Sequence, residues 1–159
     1  YALIYTTAIS LVSAPLIIFG QMRFEGNYFF HLPSMLMTGF SISVLALIVT
    51  WKTTQPSEGG SKMILIVPPG FILGGSLLAS GYMPAWVNTV KFAFPLTWEY
   101  EFWRDFSMRG LPLVDMVKSY GQYALYVTVI TSILAIIYFK TRINYFEMKK
   151  LEQKDGEKT

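Results

Sequence analysis

The chain has 159 residues, of which 53% are hydrophobic and only 14% charged, and its mean hydropathy is +0.42. Soluble domains carry about 25% charged residues, so this composition excludes the soluble globular class and reads as an integral membrane protein. The net charge of +3 comes from scattered basic residues, several of them where cytoplasmic anchors are expected, which sets nucleic acid aside as a partner; with no cysteine, disulfides and thiolate metal sites are excluded.

The first residue is Tyr1, and the chain runs straight into apolar sequence without the basic n-region and small-residue cleavage site of a signal peptide. A fragment lacking an N-terminal part is therefore expected. Tyr1 to Phe19 holds no charged residue and, at about 1.5 Å per residue, crosses most of a hydrocarbon core about 30 Å thick. Pro15 is expected to kink it near one end. Gln21 to Pro33 reads as a polar and aromatic connector containing Arg23, Glu25 and Asn27, with Tyr28, Phe29 and Phe30 suited to the interfacial belt.

Ser34 to Trp51 is the second expected span, with Ser, Thr and Gly along part of its circumference where a neighbouring helix can approach. Lys52 to Lys62, with Pro56, Gly59 and Gly60, reads as a short flexible turn. Met63 to Ala79 is the third span, interrupted by Pro68, Pro69 and Gly70. Adjacent prolines remove two backbone donors, so this span is expected inside a bundle or beside a wet cavity. Gly70 and Gly74 form a small-xxx-small face, read first as close packing rather than as part of a transport path.

The stretch from about residue 80 to 113 is too polar to cross a bilayer and unusually aromatic: Tyr82, Trp86, Phe92, Phe94, Trp98, Tyr100, Phe102, Trp103 and Phe106. Broken by Pro84 and Pro95, it reads as an outward-facing re-entrant or interfacial helical hairpin whose rings set its depth in the membrane. Ser119 to Phe139 is the fourth span. The tail, 140–159, begins as a helical continuation and is expected to end frayed and solvated from Lys149. Lys52, Lys62, Lys140, Arg142, Lys149 and Lys150 then fall on one side of the membrane, against Arg23 on the other, which makes the tail side cytoplasmic. The fold expected is all-α: a polytopic bundle with spans at about 1–19, 34–51, 63–79 and 119–139.

Reactive chemistry is not evident. Gly59-Gly60-Ser61-Lys62 has the wrong order and spacing for a phosphate-cradling loop. His31, the single histidine, sits between Phe30 and Leu32 and reads as an ordinary interfacial histidine with no metal partners. No serine or threonine has a recognisable base, so no catalytic residue, metal or cofactor is assigned. On a helix Glu99 and Glu101 lie about 200° apart and form no acid/base pair. Glu101 and Asp105 share a face, and Arg104 and Arg109 follow them at i+3 and i+4, which reads as a structural ion-pair ladder.

Gly81-Tyr-Met-Pro-Ala-Trp86, Phe94-Pro-Leu-Thr97, the acidic-aromatic run with Arg104, and Met108-Arg-Gly110 ahead of a last apolar span together resemble the C-terminal half of an ABC-2 type exporter permease. The resemblance is most specific over Leu73 to Leu113. It implies four spans similar to the third to sixth of a six-span subunit, in the plasma membrane among its lipids. It also implies a second permease subunit and a separate ATP-binding-cassette ATPase as partners, with export by alternating access. The family's elbow helix, first two spans and main coupling loop have no counterpart here. The residues singled out are Pro68, Pro69, Gly70 and Gly74 in the interrupted span, and Pro84, Trp86, Pro95, Glu101, Arg104 and Arg109 in the hairpin. The competing reading is a non-transporting four-span scaffold or assembly partner.

Overall fold

The computed structural model describes residues 1–20, 24–76 and 83–156, and all regular structure among them is helical. Helix α1 (Ala2–Ile18) carries Pro15 in its last turn and ends in a left-handed glycine, Gly20 at φ 67°, whose N–H reaches the Ile17 carbonyl at 3.0 Å. Glycine suits this position because it has no Cβ to clash there. Helix α2 (Tyr28–Thr50) starts six residues before the expected Ser34. The Asn27 side chain accepts from the Phe29 N–H at 3.0 Å and so supplies the N-cap. Pro33, expected to close the connector, is accommodated inside the helix. This earlier start places His31, Ser34 and Thr38 on one face. Arg23 lies outside the described residues.

The segment expected as a flexible turn contains a helix, α3 (Pro56–Met63). Proline occupies its first position, and Glu58 in the first turn pairs with Lys62 in the last at 2.6 Å, an arrangement that also complements the helix dipole. The third apolar stretch is not one continuous helix. After a turn at Ile64–Ile66 the chain restarts as α4 (Val67–Phe71) and continues as a π-helical turn, Ile72–Ser76. Pro68 and Pro69 therefore stand in the first turn of α4, where backbone N–H groups lack an intrahelical acceptor in any case. They mark a helix restart, where a kinked span was expected. The end of that expected span, Leu77 to Ala79, and the Ser80-Gly81-Tyr82 turn lie outside the described residues.

Pro84 caps α5 (Ala85–Val90), a 3₁₀ turn follows at Lys91–Ala93, and Pro95 opens α6 (Pro95–Phe102), which runs into a second π-helical turn, Trp103–Met108. Breaks at both prolines match the sequence expectation. The last helix, α7 (Leu113–Gly156), has 44 residues. It begins ahead of the expected Ser119 and continues through the tail to Gly156, where fraying from Lys149 was expected. No proline interrupts it, and its tail is rich in Lys, Glu, Leu, Met and Gln, which all favour helix.

Two of these helices are long and apolar enough to cross a membrane: α2, and Val114–Asn144 within α7. Helix α1 is equally apolar but has 17 residues. Only 6% of the apolar window in α7 is buried, so this is not the core helix of a soluble domain. Helix α2 occupies the centre, packing on α1, α6 and α7. At its contact with α1, a Cβ on Gly39 would meet Ala2 Cα and Tyr5 Cβ at 3.0 Å. The interior is as polar as it is apolar: Ser13, His31, Ser34, Thr38, Ser41, Lys91, Thr97 and Glu99 are buried beside Met35, Val44, Val87, Phe102, Met116, Tyr123 and Ile130. Large hydrophobic side chains such as Leu3, Leu11, Leu125 and Ile136 face outward.

Candidate functional site

The polar interior is a connected seam. Helix α2 presents His31, Ser34 and Thr38 at helical spacing, α6 presents Glu99, and α7 presents Tyr123. The Thr38 hydroxyl lies 2.8 Å from Glu99 Oε2, 2.7 Å from the Tyr123 hydroxyl and 2.9 Å from the Ser34 carbonyl. A threonine hydroxyl has one proton to donate. With Tyr123 donating to Thr38 and Thr38 to Glu99, the seam becomes a directed chain that ends on the carboxylate. His31 Nε2 approaches Glu99 Oε1 at 2.9 Å without an aligned hydrogen bond. Ser34 Oγ stands 3.2 Å from His31 Nδ1, and the Trp103 ring meets the imidazole edge-on at 5.0 Å.

His31 is buried, 1% exposed, and faces a carboxylate from another helix. The sequence reading placed Glu99 only as diverging from Glu101, gave Thr38 no role, and linked neither to His31. The signal lay in the 31/34/38 polar stripe on an otherwise apolar segment, which appears only once Tyr28 to Pro33 is included in the helix. Burying an ionisable pair is costly, and such pairs are candidates for function.

Glu99 and Glu101 diverge as their spacing requires. Glu101 belongs to the expected ladder: it contacts Arg104, Arg104 Nε is 3.5 Å from Asp105, and Arg109 is 3.0 Å from Asp105. The spacing did not reveal Lys91, which is 4% exposed and holds Glu101 Oε1 at 2.8 Å from the preceding 3₁₀ turn. Because Lys91 at this end is buried with Glu101 half-buried, and the Arg109 side chain is 62% exposed, the two ends should differ in energy. We expect Glu101→Ala to lower stability by about 1–3 kcal/mol and Arg109→Ala by no more than about 1 kcal/mol, measured by chemical unfolding in detergent.

Several rings of the 80–113 stretch pack against protein. Trp98 stacks on Tyr123 with centroids 5.2 Å apart and planes 5° from parallel, Phe102 contacts Tyr120 at 4.4 Å, and Tyr100 meets Phe71 at 5.8 Å. Trp86 does face outward, at 68% exposure. Tyr82 is outside the described residues. Pro95 is buried, with the Thr97 hydroxyl donating to the Lys91 carbonyl at 2.6 Å beside it, whereas Pro84 and Pro68 are exposed and Pro69 half-buried. Gly70 and Gly74 pack against the start of α6, as the small-xxx-small reading anticipated: a Cβ on Gly74 would come within 2.5 Å of Tyr100 Cδ2, and one on Gly70 within 3.1 Å of Phe94 Cβ.

Beside the seam, between α1, α2 and α6, lies a cavity of about 240 Å³ bounded by Tyr5, Ile9, Ser13, Met35, Leu96, Glu99, Tyr100 and Trp103. Among the described residues no three His, Cys, Asp or Glu side chains converge as a metal-binding group. Compared with protein-family models, curated proteins and solved structures, the chain finds no match.

Proposed function

We propose that the chain is a membrane-spanning permease subunit of an ATP-driven exporter of the ABC-2 type, which moves substrate across the plasma membrane by alternating access and catalyses no reaction itself. In this reading α1, α2, the interrupted stretch through α4, and α7 are the four spans, and α5 and α6 form the outward-facing re-entrant hairpin. The basic end of α7 then lies in the cytoplasm. The partners are a second permease subunit and a separate ATPase.

The observation that carries the proposal is the His31–Glu99 pair, buried among apolar helices, beside a cavity and next to interrupted helices. Broken backbone at membrane depth is tolerated where it is buried in protein or lines a cavity, and intramembrane ionisable residues mark transport pathways. A scaffold would need neither feature. The motifs from Gly81 to Gly110 supply the specific family reading.

The test is purification from native membranes followed by identification of what remains bound, then vesicle export driven by ATP. An ATP-binding-cassette ATPase should copurify, and its absence would sink the proposal. Arg104→Ala and Pro95→Ala are expected to weaken export while leaving membrane insertion intact. Wild-type export by both variants would remove the hairpin from the mechanism.

A further inference from the structure

We infer that the cavity between α1, α2 and α6 is a binding site for a small organic cation, an ammonium group held by the Glu99 carboxylate within walls of Tyr5, Tyr100 and Trp103. A carboxylate has about four acceptor positions on its two oxygens. In Glu99 the Thr38 hydroxyl occupies one on Oε2, and the imidazole of His31 crowds Oε1 without an aligned hydrogen bond. Acceptor capacity therefore remains at the cavity wall, on a residue only 8% exposed.

The surroundings select the ligand class. Aromatic faces attract cations through their quadrupoles, and desolvation strengthens that attraction. Among the described residues no lysine or arginine lines the cavity, and the carboxylate at its wall disfavours an anion. Arg104, the nearest guanidinium in sequence, is engaged with Glu101 and Asp105. The space is small and open on one side, about 240 Å³ against the roughly 300–1,000 Å³ of drug-sized sites. A single ammonium head fits that volume better than an extended drug. The ammonium could belong to a free small amine or to a lipid headgroup, and both present the same chemistry to Glu99.

This site goes beyond the transport reading, and its test needs no ATPase, so either can fail alone. The purified full chain in a choline-free detergent is titrated with tetramethylammonium and with choline against sodium at matched ionic strength, following thermal stability and calorimetric binding. In parallel, nanodiscs containing phosphatidylcholine are compared with nanodiscs containing phosphatidylglycerol alone. Saturable stabilisation by the free cations assigns a soluble amine; stabilisation confined to phosphatidylcholine discs assigns a lipid headgroup; either supports the site.

Glu99→Gln should weaken Kd at least about tenfold, the scale of one lost charge-assisted contact. His31→Gln, which removes the competing partner, should bind at least as tightly as wild type. Leu96→Phe fills the cavity without touching the polar seam and should abolish binding, which keeps the test valid if Glu99→Gln fails to fold. Equal binding by wild type and Leu96→Phe, or no saturable binding from either source, overturns the inference.

Discussion

Replacing Glu99 by alanine is expected to destabilise the purified protein by about 3–5 kcal/mol, because it leaves the buried His31 facing a void where its carboxylate partner stood. Replacing His31 and Glu99 together by leucine should cost far less, within about 1–2 kcal/mol of wild type, since well-packed apolar groups commonly substitute for a buried ion pair without loss. In the double variant the Thr38 hydroxyl still has the Ser34 carbonyl and the Tyr123 hydroxyl within reach, so no new unsatisfied donor is made. Denaturant unfolding in detergent reads both effects. If Glu99→Ala unfolds like wild type, the seam does not organise the bundle. A stable double variant that has lost export would show that the pair is retained for function rather than for stability.

The second large effect is expected at Gly74. A methyl group there would stand 2.5 Å from Tyr100 Cδ2 and 3.3 Å from Thr97 Cα, and neither the ring, packed on Phe71, nor the α6 backbone can yield easily. Gly74→Ala should therefore cost about 1–3 kcal/mol, the usual penalty of overpacking. Gly70→Ala, whose nearest contact would be 3.1 Å to Phe94 Cβ, should cost less. Gly121→Ala is the control: nothing lies within 4 Å of its added Cβ, so the helix-propensity gain of about 0.5–1 kcal/mol should raise stability. The order Gly74, Gly70, Gly121 is the measurable claim. Equal effects at all three would mean that the Gly70–Gly74 face makes no close helix contact.

Where residue and partner lay within one turn, the sequence was legible. The Glu101–Arg104 and Asp105–Arg109 pairs follow from i+3 and i+4 spacing and are present. The breaks at Pro84 and Pro95 follow from the missing N–H and locked φ of proline. Proline misled where its position within the helix mattered: Pro33 suggested a boundary that Asn27 had already set six residues earlier, and Pro68 and Pro69 suggested a kink where the chain restarts a helix. Lys91 escaped notice because its carboxylate lies ten residues away across a 3₁₀ turn, a spacing that matches no helical pair.

Composition and periodicity by themselves determined the helical class, the apolar character of α1, α2 and α7, the divergence of Glu99 from Glu101, and the absence of a phosphate-cradling loop. These are properties of one residue or one turn, so local geometry suffices. Only the tertiary structure decided which polar residues meet. Thr38 finds Glu99 across 61 residues and Tyr123 across 85, and His31 passes from a presumed surface position to the buried partner of a carboxylate. Within an apolar chain a polar side chain must find its partner wherever packing brings one, because leaving it unpaired costs several kcal/mol. That demand is strict in energy but unspecific in sequence, so the site becomes visible only once the helices are assembled.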